Sequence, residues 1–220
     1  MFRNLSDGAK GAYCMIIGSL LLTSQDAITK WMTSSYHAGE ILFYRGIFTF
    51  LPIIFLVIWA GDIKLLRTRS FKSTLLRAVL GSATSVFVVL SFAFLPLATA
   101  LAIIFLSPIL LTALSVPFLG ERVGWRRWCA VFIGFCGVLL IIQPGQGGVW
   151  IYFLIPLFTA LLVTMRDIVT RRMKGGDTSL SILFYSMLVA VLTGGISLPI
   201  FGYSLPNWSD IGLFAAAGIM

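Results

Sequence analysis

The chain has 220 residues, of which 59% are apolar and 11% charged, and its mean hydropathy is +0.99. A soluble domain holds roughly 45–50% apolar residues, so a soluble globular protein is excluded. Sixteen Lys and Arg against eight Asp and Glu give +8, a balance that would suggest a nucleic-acid partner in a soluble chain; here the loops explain it, and no nucleic-acid role is expected.

The first element, MFRNLSDGAKGAYCMIIGSLLL, has the basic flank and apolar run of a signal peptide. It lacks a small-residue cleavage site, and the run continues through Asp26 to Met32, so it is expected to remain as a first span. About 20 helical residues cross a hydrocarbon core ~30 Å thick. On that length, spans are predicted at 11–32, 40–60, 74–95, 98–119, 126–143, 149–170 and 179–201; an eighth starts near 209 and reaches Met220 too short to cross. The expected fold class is therefore all-α, a polytopic membrane protein.

Charge in the connections sets the expected orientation. Arg3, Lys10, Lys64, Arg67, Arg69, Lys72, Arg77, Arg122, Arg126, Arg127, Arg171, Arg172 and Lys174 fall on one side if the spans alternate. The connections 33–39, 96–97, 144–148 and 202–208 hold no Lys or Arg. The positive-inside rule then predicts a cytoplasmic N-terminus. Cys14, Cys129 and Cys136 lie in apolar stretches without metal-ligand spacing, so neither a disulfide frame nor a metal site is expected, and no cofactor motif is present.

The first span has a copy. Leu20–Met32, LLLTSQDAITKWM, returns 141 positions later as Leu161–Met173, LLVTMRDIVTRRM, with six of thirteen positions identical. The register holds into the next span, where Ile41-Leu42-Phe43-Tyr44 matches Ile182-Leu183-Phe184-Tyr185. Spans one and six enter from opposite faces, which makes this an inverted-topology repeat of five-helix units, an arrangement common in secondary transporters that alternate access around a site between the repeats. Residues 1–143 are expected to form the first unit and 149–220 an incomplete second one. Two full units would give ten spans in roughly 285 residues, so about seven and a half are present here.

Polar groups inside the spans are the candidates for chemistry, since each charge there costs about 2.5–3.5 kcal/mol on the insertion scale. Ser19, Thr23, Asp26 and Lys30 form one stripe on span one, and Thr164, Asp167 and Arg171 repeat it on span six. Two readings are open. The stripes face each other across a central cavity and bind a zwitterionic or charged substrate or a coupling proton, or Lys30 and Arg171 snorkel to the interface with each Asp as partner. Arg45 lacks symmetry, its repeat position being Ser186, which suits either a specificity residue or snorkelling. Tyr44 and Tyr185 suit either the cavity or the aromatic belt, and Trp31, Trp125, Trp128, Trp150 and Trp208 sit at span ends as belt residues.

Span three carries Ser82, Thr84, Ser85 and Ser91, and span four carries Ser107-Pro108. Hydroxyls can line a polar cavity or bond their own helix backbone. Pro108 should kink its helix and expose a carbonyl near Ile104. Ala130, Gly134 and Gly137 read as a close-packing ridge in span five.

The segment from Pro96 to Pro144 carries a Pro-Leu-Ala start, Phe-x-x-Pro at Phe105–Pro108, Phe118-Leu119-Gly120-Glu121, Arg127-Trp128, Gly134-Phe-x-Gly137 and a closing Gln143-Pro144. This ordered pattern resembles the EamA-type domain of the drug/metabolite transporter superfamily. The resemblance implies ten spans, cytoplasmic termini, a central cavity and residence in a bacterial cytoplasmic membrane. SQDAITKWM, TMRDIVTRRM and SLSILFYSMLVA look most like the S-adenosylmethionine uptake carriers. Arg166 beside Asp167 departs from that pattern.

The function expected is a secondary transporter of a small polar or amphipathic metabolite, possible cargoes including S-adenosylmethionine. Two alternatives stay open: an exporter of amino acids or amphipathic metabolites, and a non-transporting membrane component or inactive fragment. The expected partners are a small-molecule substrate, the lipid bilayer and a coupling proton, and a homodimer is compatible with the sequence. Candidate substrate-binding residues are Thr23, Asp26, Tyr44, Arg45, Ser107, Thr164, Asp167 and Tyr185. An enzyme is not expected: His37 is the lone histidine and sits in a short loop, and no H-E-x-x-H, G-x-S-x-G or P-loop occurs.

Overall fold

Apolar runs of helix-spanning length become helices because only intrahelical bonding satisfies every backbone group in hydrocarbon. The computed structural model describes residues 7–61, 66–121, 123–142, 151–173, 177–202, 204 and 206–219. Arg3, Lys64, Arg122, Gln143, Pro144, Trp150 and Lys174 lie outside the described residues. The described residues form α1 (Asp7–Met32), α2 (Ala38–Ala60), α3 (Phe71–Phe94), α4 (Leu97–Ile104), α5 (Ser107–Leu119), α6 (Trp125–Ile142), α7 (Ile151–Arg172), α8 (Ser179–Phe201) and α9 (Trp208–Ile219), and no strand. Among them, α2, α3, the α4–α5 pair, α7 and α8 are long and apolar enough to cross a membrane. The chain is an all-α, multi-pass membrane protein.

The predicted span 98–119 is two helices, and Pro108 gives the reason. It cannot donate to the Ile104 carbonyl, so the ladder fails one turn earlier. Leu106 N instead bonds Ile103 O at 3.0 Å, a tightened turn, and α5 restarts with Pro108 in its first turn, where a missing N–H costs little. The break sits in a buried cluster of Ile103 and Leu106 with Val138 of α6 and Ala160 of α7.

The centre of the bundle is α3, which packs against α1, α2, α4, α7 and α8. Its buried side chains include Phe92, Ser91 and Ala78. The most extensive helix pair is α2 with α8, the two counterparts of the repeat. Their backbones nearly touch at Gly194, where a Cβ would lie 2.7 Å from Phe43 N and 2.8 Å from Gly39 O. A second cluster, Met32, Tyr36, Ile41, Leu42, Val89 and Phe214, joins α1, α2, α3 and α9. Outward-facing apolar residues such as Met15, Leu20, Leu140 and Trp208 are exposed, the surface a bilayer would cover.

Hydroxyls within the spans bond back to their own helix: Thr29 to Gln25 O, Thr84 to Leu80 O, Ser91 to Phe87 O and Thr159 to Ile155 O, each at 2.7–2.9 Å. They are self-satisfied, as such residues commonly are in apolar surroundings.

Each end of the bundle is tied by side chains. At the end that carries Arg69 and Arg171, the Asp177 carboxylate before α8 accepts from Arg69 N at 2.6 Å and Thr74 Oγ1 at 3.2 Å. Arg171 pairs with Glu121 at 3.5 Å and Arg172 donates to Phe118 O. At the other end, Tyr36 OH donates to Asp210 Oδ2 at 2.6 Å, and Glu40 accepts from His37 N at 2.9 Å and Ser204 N at 2.5 Å. Tyr36 and Asp177 stand 141 residues apart, and so do Arg69 and Asp210, so the two ties occupy equivalent positions of the repeat.

The tie at Asp177 is pH-sensitive. The Arg69 backbone N–H holds its carboxyl below the ordinary value against a smaller opposing effect of burial, with Thr68, Thr74 and Ser70 adding to the lowering. A depressed carboxylate contributes stability that is present above its unfolded pKa of about 3.9 and is lost as pH falls through the folded value. Thermal unfolding in detergent should therefore show the wild type losing stability more steeply than Asp177→Asn as pH drops below about 4. Parallel curves would exclude this contribution.

Candidate functional site

Four helices enclose a polar cavity of about 180 Å³. From α3 it takes Arg77, Gly81, Ser82 and Ser85, whose spacings of four, one and three put them on one helix face. Arg45 and Gly46 come from α2, Arg166 from α7, and Ser186 and Met187 from α8. Arg45 and Ser186, the unmatched pair of the repeat, thus line the same cavity.

The three arginines are held differently. Arg77 Nε donates to Thr170 Oγ1 at 2.9 Å and Nη1 to Ser186 Oγ at 3.1 Å, bridging α3 to both α7 and α8. Arg166 donates to a single oxygen of Asp167, from Nε at 3.1 Å and Nη2 at 2.9 Å, and lies over Gly81. Arg45 is half-buried and attracts Asp26 of α1 through space, without a hydrogen bond or ion pair between them.

Above this cavity along α3 lies a second, apolar one of about 240 Å³, lined by Val86 and Leu90 with Thr193, Ser197 and Phe201 of α8. A hydrogen bond from Ser82 Oγ to Thr193 Oγ1, 2.9 Å long, connects a wall residue of one cavity to a wall residue of the other.

Of the eight candidate substrate-binding residues, Arg45 lines the polar cavity and Asp167 touches it through Arg166. Asp26 is half-buried and reaches it only by its field on Arg45. The others lie elsewhere. Thr23 is exposed on α1 and bonds Ser19 O at 2.9 Å. Thr164 is buried and donates to Ala160 O at 2.7 Å and to Ser107 O at 3.2 Å, so these two pack α7 onto the start of α5. The carbonyl that finds an outside partner at the break is thus that of Ser107, three residues after the expected Ile104. Tyr44 OH donates to Ser204 O at 3.3 Å and its ring lies 5.0 Å from that of Phe214. Tyr185 meets Phe71 and Phe184 edge to face.

α3 packs against both α1 and α7, the helices that carry the two polar stripes. The partners expected within each stripe differ. Lys30 donates to the carbonyls of Phe92 and Leu95 at the end of α3, the latter at 3.0 Å, and Arg171 pairs with Glu121. The last carbonyls of a helix have no intrahelical partner, and a lysine side chain can satisfy them. Among the ridge residues of α6, Gly134 faces Ile109 of α5, whereas Gly137 has no neighbour within 4 Å of an added Cβ.

Arg77 stands only three residues inside the predicted span 74–95, which groups it with the basic loop charges in the sequence. Its spacing of i, i+4, i+5 and i+8 with Gly81, Ser82 and Ser85 is the sequence signal that places it on their face of α3.

A family model of EamA-like transporters matches residues 9–143. The chain belongs to that family. It is 28% identical over 213 residues to a riboflavin transporter of Rhizobium johnstonii, covering 96% of this chain and 70% of the relative. It is 29% identical over 189 residues to an S-adenosylmethionine uptake transporter of Rickettsia prowazekii, covering 85% and 63%. It is 25% identical over 220 residues to a pseudopaline exporter of Pseudomonas aeruginosa, covering 96% and 74%. The chain thus spans 63% to 74% of the length of these curated relatives. In this EamA-family chain the matched segment holds α1 to α6 and contributes Arg45, Arg77, Ser82 and Ser85 to the polar cavity, while Arg166 and Ser186 come from beyond it.

Proposed function

We propose that the chain belongs to a secondary carrier that moves a small polar metabolite across a bacterial cytoplasmic membrane by alternating access, with the cavity of α2, α3, α7 and α8 as its binding site. The observation that carries this reading is a cavity lined by three arginines inside otherwise apolar spans. Charges at membrane depth are costly and mark a solute path by default. The cavity also lies between the two copies of the repeat, α2 and α3 on one side and α7 and α8 on the other, where carriers of this architecture bind. In this reading residues 1–143 belong to one repeat and 149–220 to the next, the N-terminus is cytoplasmic by loop charge, and the work is transport, not catalysis. A proton is the coupling ion this reading favours, with Asp26 and Asp167 as its carriers, and a homodimer fits the exposed apolar surface.

S-adenosylmethionine is the cargo favoured by the segments around Asp26 and Asp167, and a relative named for its uptake supports it. Export of an amino-acid-like metabolite is the second reading, supported by the similarity to a pseudopaline exporter. The test is counterflow of labelled S-adenosylmethionine into proteoliposomes holding the full-length protein, with and without a proton gradient. Amino acids, riboflavin and quaternary amines serve as competitors. Saturable counterflow is expected; none with any solute, in vesicles whose protein is folded and monodisperse on extraction, would overturn the carrier reading.

A further inference from the structure

We infer that the cavity between α2, α3, α7 and α8 is an anion site, which takes the carboxylate of a soluble solute on Arg45, Arg77 and Arg166. The inference rests on the carrier reading only in calling that solute cargo.

Guanidinium groups stay charged at all physiological pH, so three of them here bring three positive charges. Asp167 hydrogen-bonds Arg166 and attracts Arg77 through space without touching it. Arg77 meets only hydroxyls, Thr170 and Ser186. Arg45 has an acidic group in range, Asp26, but no contact with it and no hydrogen bond from its own guanidinium among the described residues. Two of the three arginines therefore have no carboxylate in hydrogen-bonding contact, only one in range through space, and the cavity holds one cation more than its two acidic neighbours offset. A planar carboxylate matches the guanidinium fork. Ser186 accepts from Arg77 and keeps its own O–H to donate to the same anion.

The chemistry also excludes ligands. A purely cationic solute would meet net repulsion from three arginines. A zwitterion is admissible, its cationic end turned toward Asp26, on the Arg45 side. With about 180 Å³, the cavity is smaller than the ~300–1,000 Å³ of drug-sized sites, so it fits the charged end of a solute and not the whole of a large one. An acidic lipid headgroup offers the same anionic chemistry, and the phosphatidylglycerol arm below separates that source from a soluble solute.

The probe is thermal stabilisation of the full-length protein in detergent. Carboxylate solutes, S-adenosylmethionine and free amino acids among them, are each compared with the methyl ester or amide, and inorganic phosphate and short-chain phosphatidylglycerol form two further arms. At least one carboxylate solute is expected to stabilise at a concentration ten-fold or more below its ester. Arg77→Gln and Arg45→Gln should abolish that difference, and Arg77→Lys should keep part of it. Melting of the ligand-free variants, read in the same experiment, shows that they are folded.

Equal stabilisation by acid and ester, stabilisation by phosphatidylglycerol only, unchanged selectivity in both Gln variants, or no response to any anion would each overturn the anion site. Carboxylate-selective stabilisation without counterflow would uphold the site and remove the carrier reading. Counterflow that ignores the carboxylate would do the reverse.

Discussion

Asp167→Asn in the full-length protein is expected to lower maximal transport about ten-fold while the amount of protein in the membrane stays unchanged. Asparagine keeps an acceptor oxygen for Arg166, so the local geometry survives, but one negative charge leaves the wall of a cavity that holds Arg45, Arg77 and Arg166. With an anionic or zwitterionic cargo, the more positive cavity holds the ligand more tightly and releases it more slowly. Tighter ground-state binding appears as a lower KM together with a lower kcat. An electrostatic change of about 1.4 kcal/mol corresponds to the ten-fold effect. Asp26→Asn should act in the same direction through Arg45. Wild-type kcat and KM in both variants would remove the two carboxylates from the transport cycle.

Gly194→Val should collapse the stability of the bundle. A Cβ at this position would stand 2.7 Å from Phe43 N, 2.8 Å from Gly39 O and 3.0 Å from Phe43 Cα, all backbone atoms that no rotamer change can move. Overpacking of this kind costs about 1–3 kcal/mol, and two further methyl groups add to it, so a fall on the order of 5 °C or more in melting temperature is expected. Gly137→Ala is the control: nothing lies within 4 Å of an added Cβ there, and alanine is the better helix former by roughly 1 kcal/mol. Similar melting of both variants would contradict the described crossing of α2 and α8.

Helix positions were legible in the sequence because hydrocarbon thickness and backbone hydrogen bonding leave few choices for an apolar run. The predicted span 179–201 coincides with α8, and Pro108 announced the break between α4 and α5. Neighbours were harder to read. Periodicity assigns Thr23, Asp26 and Lys30 to one face of α1 without saying what that face meets, and α1 packs against α3, α4 and α9. Lys30 finds carbonyls at the end of α3, contacts between residues more than 60 positions apart that no local pattern encodes. In the sequence Arg77 counts with the loop charge and Arg166 stands as a departure from the family pattern; the partners that tie them to the cavity, Thr170 and Asp167, are visible only in the fold.

The ties at the two ends of the bundle also set an energy scale. Tyr36 and Asp177, like Arg69 and Asp210, stand at the 141-position offset of the repeated segment, and the hydrogen bonds from Tyr36 OH to Asp210 and from Arg69 N to Asp177 are each worth about 1.5–3 kcal/mol. In the alternating-access reading proposed above, breaking one tie while the other holds makes the ties' own contribution to the imbalance between the two orientations on the order of 1 kcal/mol. A contribution of that size corresponds to a population ratio within about ten-fold, which a solute with modest differential affinity can offset.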